Sequence, residues 1–151
     1  AQAYKIGQIV GVNKVQAQIL IDKFLKNMPA LEKVRNDISE EAEGGVIQGV
    51  DGRSLHIRSP HSALNTLIQG AGAVVCKDWV VRMTQLVQRS GLDVKLVASI
   101  HDEYQFEVEK KDVQEFGKIT KKAMRETEKE LDFKCPLDNT WKEGETWAKT
   151  H

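Results

Sequence analysis

The fold of this 151-residue chain is decided by the stretch Val94-Lys95-Leu96-Val97-Ala98-Ser99-Ile100-His101-Asp102-Glu103-Tyr104-Gln105-Phe106-Glu107-Val108. Two apolar runs of strand length flank a short acidic point, and the second run alternates apolar and polar residues as a half-buried strand does. This pattern predicts a β-hairpin that carries His101, Asp102 and Glu103 at its tip.

The tip offers two carboxylates where Gly, Asn or Pro usually forms the turn. Hard oxygen ligands of this kind suit Mg²⁺ or Mn²⁺. Because neighbouring strand residues point to opposite faces, one of Asp102 and Glu103 is expected to ligate and the other to support it, unless the turn brings both together. An ordinary polar turn with hydrated carboxylates is the alternative that spacing alone leaves open.

The overall composition limits the possible functions. Lys plus Arg and Asp plus Glu both number 22, so no global basic field indicates nucleic acid, and any DNA contact must be local. Cys76 and Cys135 lack a metal-ligand spacing, and neither a signal peptide nor a long apolar span is evident, which predicts a reduced cytosolic protein without a membrane segment. Ala1 in place of an initiator Met suggests an excised piece or a processed product.

The N-terminal third is predicted to be helical. Apolar residues recur at helical spacing from Ile6 to Leu25, and Gly11 with Asn13 divides this region into a short and a longer helix. Pro29 ends the longer helix, and a third helix follows before Gly44-Gly45. Asp51-Gly52 between two strand-like runs then predicts a hairpin with a type I′ turn.

A long helix is predicted to begin at Ser59-Pro60, an N-cap followed by proline, and to run to about Arg89 before Ser90-Gly91. His61, Asn65 and Gln69 are four residues apart and therefore share one face of this helix. Such donors could contact the minor groove of a duplex, where purine N3 and pyrimidine O2 acceptors lie in similar places in every base pair. The alternative is a solvated polar stripe beside tight packing at Gly70 and Gly72.

A last amphipathic helix is predicted over Lys110 to Leu131, with mixed charges on its outer face. Trp141, Trp147 and Ala148 are expected to pin the C-terminal end against the body of the protein.

Several motifs, in order, resemble those of family A DNA polymerases, the group that includes bacterial DNA polymerase I and the replicative polymerases of short-tailed phages. Ile100-His101-Asp102-Glu103 with the following Gln105-Phe106-Glu107-Val108 looks like the third conserved motif of the family. The segment Lys5 to Gly11 looks like the one after the nucleotide-binding helix of the fingers, and Asp51-Gly52-Arg53 resembles the hairpin before the long palm helix. Ser59 to Gln69 is similar to the opening of that helix, and Trp147 to His151 to the C-terminus of the family.

The resemblance implies roles for particular residues. Asp102 would ligate the catalytic Mg²⁺, with Glu103 supporting the site, and Mn²⁺ could substitute. His61, Asn65, Gln69 and His101 would line the minor-groove side of the primer-template. Two metal ions in the complete enzyme would then promote attack of the primer 3′-hydroxyl on the α-phosphate of the dNTP.

The resemblance also implies what this chain lacks. The family uses a second metal-ligating aspartate from a separate strand and a fingers helix that grips the nucleotide, and neither is found in this sequence. The remainder of the polymerase, in the same chain or in a split subunit, would have to supply them. The chain alone is therefore expected to be inactive.

The sequence as a whole predicts an α+β fold: a family A palm with antiparallel hairpins packed on a long helix, preceded by helices of the fingers. Residues 1–45 would be the C-terminal helical part of the fingers, and residues 46–151 the palm with the catalytic hairpin. The expected location is the cytoplasm, that of the bacterial host if the gene belongs to a phage. The alternatives are a catalytically silent DNA-binding or scaffold module derived from a polymerase and, with less support, a metal-dependent phosphohydrolase using His101, Asp102 and Glu103.

Overall fold

The computed structural model describes residues 2–150, which form five α-helices and two separate two-stranded sheets. The elements are α1 (Gln2–Val10), α2 (Lys14–Lys26), α3 (Pro29–Glu41), β1 (Val46–Gln48), β2 (Ser54–His56), α4 (Ala63–Ser90), β3 (Val94–Ile100), β4 (Glu103–Val108) and α5 (Val113–Glu130). Each sheet is an antiparallel hairpin, which confirms the predicted α+β class. His151 lies outside the described residues, so the predicted C-terminal motif is described only from Trp147 to Thr150.

The chain divides into two compact units. One comprises the chain up to Ile47 together with Ser54–Thr66, and the other comprises Gln48–Arg53 together with the chain from Leu67 onward. This division by contacts does not identify fingers or palm, so the proposed boundary after residue 45 remains a prediction.

The first two helices separate where the sequence predicted. The side chain of Asn13 accepts a hydrogen bond from the Gln16 amide at 2.9 Å and so caps the start of α2. A Cβ at Gly7 would lie 2.7 Å from the carbonyl oxygen of Val12, so only glycine permits this close turn between α1 and α2. Ala17 is fully buried in the same region.

The first hairpin forms, but its turn is not of type I′. Type I′ needs positive φ at both central residues, whereas Gly52 has φ +78° and Asp51 is not among the residues with positive φ. Instead, the Gly49 amide donates to the Arg53 carbonyl at 2.8 Å and the Gly52 amide donates to the Gly49 carbonyl at 2.9 Å. These bonds enclose a three-residue loop that ends in a left-handed glycine.

The long helix begins later than the sequence predicted and ends where predicted. Residues Pro60–Ser62 form a 3₁₀ turn, in which the Ser62 amide and hydroxyl both donate to the Ser59 carbonyl, at 2.9 and 2.8 Å. Ser59 occupies the N-cap position of this turn with Pro60 directly after it, as the sequence predicted, although the Ser59 side chain makes no capping hydrogen bond. At the other end, Gly91 takes φ +72° directly after Ser90.

The core of the second unit joins α4, α5 and the β3–β4 hairpin. Its buried members come from the two helices: Trp79, Met83, Leu86, Phe116, Ile119, Ala123 and Met124. Aromatic side chains of β4 pack against them, with 5.6 Å between the ring centres of Trp79 and Tyr104 and 4.8 Å between those of Phe106 and Phe116. The predicted packing of a catalytic hairpin on a long helix is therefore present for β3–β4.

The C-terminal segment runs over α5. The Leu137 amide donates to the Glu128 carboxylate at 2.7 Å, and the Asn139 amide group donates to the Thr120 hydroxyl at 3.0 Å. Trp141 lies on Gly117 so closely that a Cβ there would be 2.7 Å from its ring. Trp141 thus anchors this segment as predicted, whereas Trp147 is 55% exposed and Ala148 is exposed as well.

None of the helices in residues 2–150 is long and apolar enough to cross a membrane.

Candidate active site

The geometry of the second hairpin follows from one irregularity in its register. Leu96 pairs with Phe106 but Ala98 pairs with Gln105, so Val97 is an extra residue without a partner, a β-bulge. Before the bulge, β3 turns Val94 and Leu96 to the same face as Val108 and Phe106. Beyond the bulge, Ala98 and Ile100 pair with Gln105 and Glu103. Because directly paired residues share a face, these two residues of β3 lie on the face opposite to that of Val94 and Leu96.

The bulge determines the length of the loop at the hairpin tip. With the shifted register, Ile100 pairs with Glu103, and His101 and Asp102 form a two-residue loop between them. His101 has φ +55°, the left-handed region that non-glycine residues seldom adopt. The loop therefore projects the exposed side chains of His101 and Asp102 beyond the apolar part of the hairpin, as the sequence predicted.

Glu103 is held differently from Asp102. It is half-buried at the start of β4, and its carboxylate accepts a hydrogen bond from the side-chain amide of Gln105. The two side chains share a face because they are two residues apart on a strand. Sequence reasoning assigned Gln105 no role, although this spacing of two was a signal that could have revealed it.

Asp102 lies near Cys76, a half-buried residue of α4. Burial raises the pKa of the Cys76 thiol, and the negative charge of Asp102 raises it further. The pKa of Tyr104 is raised by its burial and by the nearby Cys76, while a hydrogen bond with Ser99 opposes the shift. The sequence gave no signal for this electrostatic effect, because the two residues are 26 positions apart and belong to different elements.

The carboxylates at the tip are suitable ligands for a Mg²⁺ ion that also binds substrate phosphates and water. They are too few to surround the ion with protein ligands alone. Mg²⁺ is commonly held by one or two carboxylates together with substrate phosphates and water. Asp102 and Glu103 are adjacent carboxylates of this kind, and residues 2–150 contain no group of three or more His, Cys, Asp or Glu side chains able to hold a metal. None of the described aspartates lies within a strand.

The predicted polar stripe is present only in part. His61 lies in the 3₁₀ turn before α4, so its spacing to Asn65 is not that of a regular α-helix. Asn65 and Gln69 are one turn apart in α4, and all three side chains are exposed. His61 and Asn65 belong to the first compact unit, and Gln69 belongs to the second with the hairpin tip. The side-chain donors of His61, Asn65 and Gln69 form no hydrogen bond with any part of the chain that the structure describes.

Comparison with known proteins extends over almost the whole sequence. The family model "DNA polymerase family A" matches residues 1–149. The DNA-directed DNA polymerases of Escherichia phage T7 and Enterobacteria phage T3 are 37% and 36% identical over 97% of this chain. DNA polymerase I of Aquifex aeolicus is 31% identical over 99% of it. This chain spans about a quarter of these relatives, 24% of each phage enzyme and 26% of the Aquifex enzyme.

The fold is also similar to that of a solved polymerase domain. The POL domain of Pol1 from M. smegmatis, determined in complex with DNA primer-template and dNTP, superimposes with a TM-score of 0.76. It is 21% identical in sequence, and the match covers 83% of this chain and 24% of that one. The family model, the phage relatives and the shared fold agree with one another, and the chain belongs to DNA polymerase family A.

Proposed function

We propose that this chain forms the catalytic hairpin and part of the DNA-contacting surface of a DNA-directed DNA polymerase. The observation that carries the proposal is the tip of β3–β4, where Asp102 lies in the two-residue loop and Glu103 follows it as the first residue of β4, at the end of a hairpin anchored in the core. This arrangement occurs in a chain that matches the polymerase family over residues 1–149.

In this proposal the residues of the chain position substrates and balance their charge. Asp102 is the metal ligand, and Glu103 supports the metal site beside the primer terminus. Minor-groove acceptors of the primer-template are contacted, without reading of its sequence, by His101 at the same tip and by His61, Asn65 and Gln69. Bound Mg²⁺, which Mn²⁺ could replace, would supply the positive charge that favours attack of the primer 3′-hydroxyl on the dNTP and departure of pyrophosphate.

The partners in this proposal are primer-template DNA, dNTP and the rest of a polymerase. The M. smegmatis domain of similar fold was solved with primer-template and dNTP, which supports the first two. The third is supported by the extent of the match, because this chain spans 24% of each phage polymerase, and in this proposal the remainder supplies the groups that hold the dNTP and further metal ligands. Those ligands would come from the same chain or from a separate subunit. A cytoplasmic location also remains a prediction.

The proposal is tested by primer extension with the native gene product, retrieved from its source cells with an antibody against this chain. Asp102→Asn should lower the rate about 100- to 1,000-fold, since a lost metal contact removes several kcal/mol of transition-state stabilisation. Glu107→Gln on the same hairpin removes one exposed negative charge away from the tip and should leave the rate within about 2-fold. Equal rates for the parent enzyme and Asp102→Asn would refute the assignment.

The alternative, a silent DNA-binding or scaffold module, is favoured by the small donor set at the tip. It predicts that the native product binds primer-template but does not extend it, with or without Asp102.

The size of the native product decides whether these residues form a separate subunit or part of a longer chain. A band near 17.0 kDa would indicate a split subunit, and a much larger one would indicate that these residues are part of a longer polymerase chain.

A further inference from the structure

Gln105 is placed by the fold to act on Glu103 and on no other charged group in residues 2–150. It is half-buried in the middle of β4, and its side-chain amide donates to the Glu103 carboxylate. This is its only side-chain hydrogen bond to another described residue. Polar side chains in such a position are usually bound to a specific partner, because burying an amide without one is unfavourable.

The bulge at Val97 creates the surroundings of this hydrogen bond. The shifted register sets Ala98 opposite Gln105 and Ile100 opposite Glu103, and both of these apolar residues are half-buried. If the pairing continued regularly from Leu96 and Phe106 without a bulge, Val97 would stand opposite Gln105 and the tip would lose its two-residue loop. The same irregularity thus determines the shape of the tip and the apolar wall beside the amide–carboxylate contact.

We propose that Gln105 is a positioning residue that holds the Glu103 carboxylate in one orientation beside Asp102. This inference rests on the proposed function, in which Glu103 supports the metal site. A glutamate side chain has several rotamers of similar energy, and a fixed donor on the same strand face reduces that freedom before any ligand binds. Gln105 itself touches neither metal nor substrate in this proposal.

The experiment compares Gln105→Met with the matched substitution Gln85→Met in the full 151-residue chain. Methionine has nearly the length of glutamine but no donor, and Gln85 is an exposed residue of α4. The first readout is the NMR order parameter of the Glu103 side-chain methylene groups. The second is the affinity for Mn²⁺, followed by paramagnetic broadening of the His101 to Glu103 amide signals.

We expect Gln105→Met to lower the Glu103 order parameter below its value in the parent chain and to weaken Mn²⁺ binding about 10-fold. Gln85→Met should change neither quantity. If Gln105→Met does not fold, Gln105→Val, a residue type favoured in strands, removes the donor without adding a charge, and its Glu103 order parameter decides the question.

An unchanged Glu103 order parameter in the folded variants would overturn the inference, whatever happens to Mn²⁺. Failure of the proposed function has a different signature: Asp102→Asn would then leave Mn²⁺ binding unchanged. An Asp102→Asn variant that loses Mn²⁺ while Gln105→Met keeps both its affinity and an ordered Glu103 would retain the proposed function and reject the role of Gln105.

Discussion

His101 occupies a backbone conformation that its side chain disfavours. Its φ of +55° lies in the left-handed region, which costs a residue with a Cβ roughly 1–2 kcal/mol relative to ordinary conformations. Two-residue hairpin loops usually place Gly, Asn or Asp at such positions. Strain of this kind occurs often at functional sites, where another requirement fixes the residue. A contact between the imidazole and DNA, as proposed above, would be such a requirement.

Replacing His101 by glycine should therefore stabilise the isolated chain. Relief of the left-handed strain outweighs the greater freedom of glycine in the unfolded state, which leaves a net gain of about 0.5–1 kcal/mol in the free energy of unfolding. His101→Ala keeps a Cβ and should bring no such gain. Urea unfolding followed by circular dichroism measures both variants. A glycine variant less stable than the alanine variant would contradict the strained-turn interpretation.

The proximity of Asp102 to Cys76 gives a pH-dependent prediction. Burial first, and then the Asp102 charge, raise the pKa of the Cys76 thiol above its ordinary value of 9.0. Because the thiolate is the reactive form, alkylation of Cys76 by iodoacetamide should begin at higher pH than that of a free thiol. Asp102→Asn removes only the electrostatic contribution, so the midpoint of the rate–pH curve should move to lower pH while burial keeps part of the shift.

Mass spectrometry of the alkylated peptides separates Cys76 from Cys135, whose exposed thiol serves as the internal control. The Cys135 curve should be the same in both proteins. A Cys76 curve that is also unchanged by Asp102→Asn would contradict an electrostatic effect of Asp102 on this thiol.

At the scale of elements, the sequence predicted which segments are helices and hairpins and was less accurate about how they begin. The ends of α2 and α4 were predicted from Pro29 and Gly91, because these residues act through their own backbone restrictions. The starts of α4 and α5 were placed three residues too early, since a 3₁₀ turn at Pro60–Ser62 and a turn before Val113 compete with the first helical turn.

In the candidate site as well, local pattern predicted the elements, whereas their register and packing were not predicted. The tip residues were predicted from local alternation, which specifies a hairpin by itself. The bulge at Val97 was not predicted, because an extra residue in an apolar strand leaves no compositional mark. The hydrogen bond from Gln105 to Glu103 and the approach of Cys76 to Asp102 depend on that register and on helix packing, respectively.

Two glycines in helices should respond oppositely to alanine. A Cβ at Gly72 in α4 meets nothing within 4 Å, so Gly72→Ala should stabilise the chain by about 0.5–1 kcal/mol through helix propensity. A Cβ at Gly117 in α5 would meet the Trp141 ring at 2.7 Å. Gly117→Ala should therefore displace Trp141 and destabilise the chain by about 1–2 kcal/mol, despite the better propensity of alanine.

Urea unfolding gives the two free energies, and fluorine NMR of 5-fluorotryptophan protein reports the Trp141 signal directly. A shifted Trp141 resonance in Gly117→Ala but not in Gly72→Ala is the expected result. The open space around Gly72 also bears on the proposed DNA surface. If Gly72→Ala stabilises the chain but weakens primer-template binding, a ligand rather than internal packing requires this glycine.

At the scale of the whole molecule, the first compact unit exposes much apolar surface. Ile9, Val15 and Ile19 of α1 and α2 are 82%, 69% and 60% exposed. Where such side chains form one surface, that surface usually marks a place that another protein covers. The even balance of 22 basic and 22 acidic residues, in turn, provides no strong field for holding DNA. Both properties agree with a chain that works as part of a larger enzyme.

The pure 151-residue chain should accordingly fail to extend a primer. The tip supplies two carboxylates, residues 2–150 hold no larger metal-binding group, and the chain spans 24% of its phage relatives. Substrate phosphates cannot complete the site unless other parts of the enzyme hold the dNTP in line with the primer. A fluorescent primer annealed to a template, incubated with dNTP and Mg²⁺ or Mn²⁺ and resolved on a denaturing gel, measures extension. The T7 phage polymerase is the positive control, and extension by the pure chain that disappears in Asp102→Asn would show that the hairpin suffices, contrary to this prediction.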